Sequence, residues 1–142
     1  AGGSGHQSVW TVRLALHEAA AHNAKMLQVI RHAGSSISAL PEGLVSSGYS
    51  SCYSRLAHDE PSTTITVKFT SPASSKCIHP FDDRAITPRE AARVQGFDDR
   101  FEFYGSKTEI ASQIGNAVPP LFGRAFSPVF EQMLYEQTIG EH

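Results

Sequence analysis

The 142-residue chain is 40% hydrophobic with a formal net charge of −2, which suffices for one compact domain with a docking segment and excludes a complete two-domain enzyme. No run approaches the roughly 18 apolar residues of a membrane span, so no membrane partner is expected, and the near-neutral charge gives no overall nucleic-acid signature. Divided at His79, the first part holds 6 basic and 4 acidic residues and the second 6 and 10, a modest asymmetry.

Residues 1–9 open with AGGSGH, small and flexible, and read as a linker or cloning remnant. Asn23 is placed to cap a helix with Met26, Leu27 and Ile30 on one face and Gly34 as its stop. Residues 34–53 have little periodicity and read as irregular surface chain. In TTITVKF (63–69), Ile65, Val67 and Phe69 alternate with polar residues, which predicts a strand with one buried face. CIHP (77–80) predicts a second, short strand cut off by Pro80. Cys52 and Cys77 have no CxxC partner and no histidine at ligand spacing, so they read as buried thiols in a reducing cytoplasm. His17, His22, His32 and His58 form neither metal nor triad spacing and read as surface residues; no metal is expected.

The second half is written in helix punctuation. In TPRE (87–90), Thr87 caps, Pro88 takes the first helical position and Glu90 closes a capping box, predicting a helix over 88–95 with Gly96 as its stop. SKTE (106–109) repeats the box and predicts a helix over 107–114, with Ile110 and Ile114 on one face and Gly115 as the stop. After Pro119 and Pro120, the pairs Leu121/Phe122, Ala125/Phe126, Val129/Phe130 and Met133/Leu134 recur every four residues and draw an apolar helical stripe that needs a partner. Pro128 interrupts it, which predicts a kink or a fresh start capped by Ser127.

RAITPREAARVQGFDDRFEFYGS (84–106) and QIGNAVPPLFGRAF (113–126) together resemble motifs IX and X of the DNA cytosine-5 methyltransferases. YSRLAHDEPSTTIT (53–66) is similar to the end of that family's target-recognition region, and HNAKMLQVIRHAG to the variable segment before it. The resemblance covers residues 14–136. Two positions depart from the family pattern: Asp98, where the family usually has proline, and Pro128.

The resemblance implies an α+β chain: a small mixed recognition domain with a few short strands over 10–83, then short helices and a C-terminal helix (84–142) that would pack on a missing doubly wound catalytic domain. It implies methyl transfer from S-adenosylmethionine to C5 of cytosine, on a base flipped out of double-stranded DNA. It sets Asn116, Ala117 and Val118 against the cofactor, with Gly115 permitting a close turn. Arg55, Ser62, Thr63, Thr64 and Lys68 are the expected DNA contacts, and Arg89 and Glu90 structural links between domains. Arg84 and Arg93 either contact phosphate or pair internally. The family keeps its nucleophile in a Pro-Cys block and its acid in a Glu-Asn-Val block, and neither occurs in these 142 residues. No catalytic residue is therefore assigned. The expected whole is a bacterial, cytoplasmic, metal-free methyltransferase of a restriction-modification pair, whose catalytic half is supplied in cis or by a separate chain. A non-catalytic recognition subunit and a stand-alone DNA-binding module are the alternatives.

Overall fold

Three helices begin where the sequence places a capping side chain. A computed structural model describes residues 14–140, with side chains through residue 136; the segment expected as a linker lies outside the described residues. Asn23 Oδ1 accepts the Met26 amide at 2.8 Å and opens α1 (Ala24–His32). Thr87 with Glu90 and Ser106 with Glu109 form two-way capping boxes at the starts of α2 (Pro88–Val94) and α3 (Lys107–Gly115). A short 3₁₀ turn, Ile37–Ala39, is the one regular element in the irregular stretch after α1. Pro120 begins α4 (Pro120–Gly140).

The strand expected over residues 63–69 does not form. Ile65 and Phe69 are buried as its pattern requires, but Val67 between them is 40% exposed. The chain turns there instead: the Phe69 amide donates to the Thr66 carbonyl at 3.1 Å and the Ser71 amide to the Lys68 carbonyl at 2.9 Å. Thr66 Oγ1 also takes the Lys68 amide, a local bond that competes with any ladder. Among the described residues, extended pairing is confined to Ile78, which bridges Arg55 in parallel and Ala85 in antiparallel sense. The expected 77–80 strand is thus reduced to a single crossing point.

Helix α2 packs on α3, and their inner faces, with Ala91, Ala92, Ile110 and Ile114, meet Ile65 and Phe69 in the main core. A second cluster joins Ile30 and Ala33 to Ile78. Cys52 and Cys77 are buried free thiols. Burial pushes the Cys77 thiol up to about 11, which leaves it unreactive.

Arg55 ties the end of α1 to residues 79–83. Its Nε and Nη2 donate to the Ala33 and Ile30 carbonyls at the end of α1, and its Nη1 to the carbonyls of His79 and Asp82, with Asp83 Oδ1 completing the set. All five donors of the guanidinium are occupied. Arg55→Lys, which offers no planar fork, is expected to lower unfolding stability by about 2 kcal/mol, read from a urea denaturation curve.

Helix α4 runs through Pro128 as one element, so the alternative of a fresh start capped by Ser127 does not occur: the Ser127 hydroxyl donates to Glu131 at 3.0 Å. Proline removes one bond, to the carbonyl four residues back, and on a helix exposed all round that carbonyl can turn to water. Residues 121–136 are exposed throughout. Their apolar stripe does not fold back over the other described residues.

Candidate functional site

The QIGNAVPP stretch forms the junction between α3 and α4, and three contacts fix it. Gly115, the last residue of α3, lies against another segment of backbone: a Cβ there would stand 2.3 Å from Val67 N and 2.5 Å from Thr66 C. Gly115 has no left-handed backbone, so close approach rather than a turn explains the glycine. Gln95, the C-cap of α2, donates its amide to the Ile114 carbonyl at 2.9 Å. Gln113 donates to the Tyr104 carbonyl at 2.8 Å. Gln95 escapes a motif-by-motif reading because its role appears only when the two helices are packed.

Asn116 follows as the C-cap of α3, its backbone amide bonded to the Ser112 carbonyl and its side-chain amide donating to Ser112 Oγ at 3.1 Å. It borders a shallow depression of about 440 Å³ with Tyr104, Glu109, Ser112 and Gln113. Ala117 is half-buried and Val118 is 66% exposed. The junction therefore presents one amide and one apolar side chain outward from a backbone held on three sides.

Behind it, α2 carries the charged links. Arg89 is 2% exposed. Its guanidinium donates to the carbonyls of Ala15 (3.2 Å), Asp98 (3.2 Å) and Phe101 (2.9 Å), and sits 5.8 Å from the Phe103 ring centroid. Asp98 thus serves through its backbone carbonyl, which a proline would supply equally. Its carboxyl is exposed and held down at about 2 by hydrogen bonds from Arg100. Arg93 pairs with Asp99 at 2.7 Å, and Arg84 grips Glu90 with both Nη atoms, at 2.7 and 2.8 Å; both arginines pair internally.

Glu90 collects more than its cap. Besides Arg84 it accepts the Thr87 amide at 2.7 Å, with His79 Nε2 at 3.8 Å and His17 Nδ1 at 4.0 Å. His17 also hydrogen-bonds Thr87 Oγ1 at 3.1 Å, so it is a linking residue rather than merely a surface one. Burial by itself would raise the Glu90 carboxyl, but the Arg84 and Thr87 hydrogen bonds and the Arg84 charge outweigh it and hold it at about 2, against an ordinary 4.5. Because the folded value is the lower, this stabilisation is complete above 4.5 and is lost as pH falls through that value toward 2. It amounts to about 3 kcal/mol at most. Thermal melts of wild type are expected to fall more steeply than those of Glu90→Gln across that window.

On the recognition side, Ser62, Thr63, Thr64 and Lys68 are exposed. Ser62 donates its hydroxyl to the Thr63 carbonyl at 3.0 Å. Arg55 leaves this set as a correction: with every donor occupied inside the chain, none is free for a phosphate or a base edge. Its sequence neighbourhood gave no sign of this, because its acceptors are backbone carbonyls 22 to 27 residues away and the carboxylate of Asp83, 28 residues away.

The family model "C-5 cytosine-specific DNA methylase" matches residues 8–129. The type II methyltransferase M.AgeI of Thalassovita gelatinovora is 39% identical over 104 residues, which cover 73% of this chain and 24% of that protein. M1.HphI of Haemophilus parahaemolyticus is 36% identical over 120 residues, covering 82% of this chain and 31% of that protein. DNA (cytosine-5)-methyltransferase 2 of Arabidopsis thaliana is 46% identical over 66 residues, or 46% of this chain and 4% of that protein. The chain spans less than a third of the length of each of these relatives.

Proposed function

Because the chain belongs to the C-5 cytosine-specific DNA methylase family, we propose that it is the target-recognition and motif IX–X portion of a DNA (cytosine-5-)-methyltransferase, working with a catalytic domain supplied in cis or by a second chain. The carrying observation is α4. Leu121, Phe122, Phe130, Met133 and Leu134 are each more than half exposed, on a helix joined to the body through a rigid junction. Such a stripe calls for an apolar surface, and in this reading that surface is the doubly wound catalytic domain. An α+β fold for the recognition part belongs to this reading of the whole protein; among the described residues extended pairing is confined to the Ile78 crossing.

In this reading the complete enzyme transfers a methyl group from S-adenosylmethionine to C5 of cytosine in a specific duplex sequence, in the bacterial cytoplasm and without a metal. The chain's residues fit the cofactor's methionine end as one wall. Asn116 stands exposed at the carbonyl end of α3, whose partial negative charge suits the ammonium and sulfonium groups that S-adenosylmethionine supplies. Asn116 would orient that end and Val118 would exclude water from it. Ser62, Thr63, Thr64 and Lys68 would face DNA, while Arg89 and Glu90 hold the framework. With no Pro-Cys or Glu-Asn-Val block in its sequence, the chain alone is expected to transfer no methyl group.

The test is complementation. The purified chain is mixed with catalytic halves that carry both blocks, and transfer of labelled methyl groups to DNA is measured. Activity that needs both chains supports the proposal, and the same activity abolished by shortening α4 before residue 121 assigns the contact to that helix. No transfer with any of several related halves, and none from a fused polypeptide, would sink it.

A further inference from the structure

At the end of α3, residues 114–117 close a turn that presents Asn116 at its third position. The Ala117 amide donates to the Ile114 carbonyl at 3.3 Å, and Asn116 takes φ −96° and ψ −2°, which match the third position of a type I turn. Gln95 reaches this turn from the end of α2. Its Nε2 carries two hydrogens and faces the carbonyls at both ends of the turn, Ile114 at 2.9 Å and Ala117 at 3.5 Å. The first is a full hydrogen bond and the second is at the limit of one. One carboxamide therefore brackets Asn116.

Neither side of the bracket is loose. Ile114 is fully buried in the main core. The Gln95 backbone amide is bonded to the Ala91 carbonyl at 3.0 Å, Gly96 follows with φ 82°, and the Phe97 amide returns to the Ala92 carbonyl at 3.0 Å. Phe97 then sets its ring edge-on to Phe103, a core residue. Gln95 is thus fixed to the core through α2, and it holds a turn whose central side chain, Asn116, is exposed.

We propose that Gln95 is a positioning residue for the cofactor: it touches no ligand itself, and by fixing the ends of the turn it sets where the Asn116 amide and the Val118 side chain meet the methionine end of S-adenosylmethionine. The role of Asn116 rests on the methyltransferase reading, whereas the bracket rests on the two carbonyl contacts. Without the bracket the turn can rock on the end of α3, and binding the cofactor must then order it. That cost falls equally on the ground state and the transition state, so it raises KM and spares kcat.

The experiment applies two readouts to the same two variants. Gln95→Met keeps the length and loses the donor, whereas Gln95→Glu keeps the shape and turns an acceptor toward both carbonyls. In the 142-residue chain, hydrogen exchange of the Ala117 amide, followed by NMR, is expected to quicken about tenfold in Gln95→Met and further in Gln95→Glu. The Ala91 and Ile110 amides, bonded to the cap carbonyls of α2 and α3, should keep their wild-type rates. In the enzyme assembled by fusing the chain to a catalytic half, Gln95→Met is expected to raise the KM for S-adenosylmethionine about fivefold to tenfold, with kcat and the KM for DNA within about twofold of wild type. Arg93→Gln, which removes an exposed ion pair from the same helix, controls for general loosening of α2 and should move neither readout; thermal melts verify that each variant folds. Wild-type behaviour of Gln95→Glu would mean that the side chain only fills space, and it overturns the proposal. So does unchanged Ala117 exchange, or a fall in kcat with a rise in both KM values, the pattern of a loosened domain. A fused wild type that transfers no methyl group removes the methyltransferase reading and the cofactor role of Gln95 with it. An active wild type whose cofactor KM does not move in Gln95→Met removes this inference alone.

Discussion

Replacing Arg89 with methionine is expected to destabilise the chain by about 3 to 5 kcal/mol, the largest effect of any single truncation in α2. Methionine matches the length of the aliphatic stem but leaves the carbonyls of Ala15, Asp98 and Phe101 without their donor. Each unpaired carbonyl costs about 1 to 3 kcal/mol where water cannot reach it. The cost of burying the guanidinium is recovered, which offsets part of that sum. Arg89→Lys can satisfy fewer of the three carbonyls and should fall between the two. Equilibrium urea unfolding measures the loss. Limited proteolysis locates it, since residues 14–16 are tied to α2 through Arg89 and should become cleavable first. A variant that melts like wild type and resists cleavage at that segment would show that the three bonds contribute little.

Gly115→Ala is expected to cost about 3 kcal/mol, against the usual direction for such a change. Inside a helix, alanine is favoured over glycine by about 1 kcal/mol. Here the added methyl meets Val67 N, Thr66 C and Val67 Cα at 2.3, 2.5 and 2.6 Å. All three are backbone atoms that cannot rotate away. Either α3 slides or the 66–67 segment moves, and both displace Ile65 and Ile114 in the core. The matched control is Gly123→Ala in α4, where nothing lies within 4 Å of the new Cβ; it should leave the unfolding midpoint in place and raise helical content slightly. Equal behaviour of the two variants would remove close approach as the reason for Gly115. If the reading of Asn116 is right, Gly115→Ala also misplaces it in the assembled enzyme, and complementation should fail before the chain unfolds.

The helices of the body were legible because their signals are local. A cap and its partner three residues on are fixed by chain geometry, so Asn23, Thr87 with Glu90 and Ser106 with Glu109 could be read directly, and the bounds of α2 and α3 fall within a residue of those predicted. The 63–69 segment was misread for the opposite reason. Alternation predicts which side chains are buried, and Ile65 and Phe69 are, but a strand needs a neighbour to pair with, and the local Thr66 and Lys68 bonds close turns instead. Of the two outcomes expected at Pro128, the fresh start capped by Ser127 does not occur, because a helix exposed all round leaves the freed carbonyl to water.

The sequence by itself determined the family, the caps, the burial of the cysteines and the apolar stripe of α4, because each is written in residues close together along the chain. Only the tertiary structure decided that Arg55 is an internal tie, that Gly115 answers to the backbone of residues 66 and 67, and that Gln95 anchors the junction. Each of these depends on groups far apart in sequence, some of them main-chain atoms. Every residue offers the same main-chain atoms, so no residue pattern marks which of them a side chain will meet once packing brings the segments together.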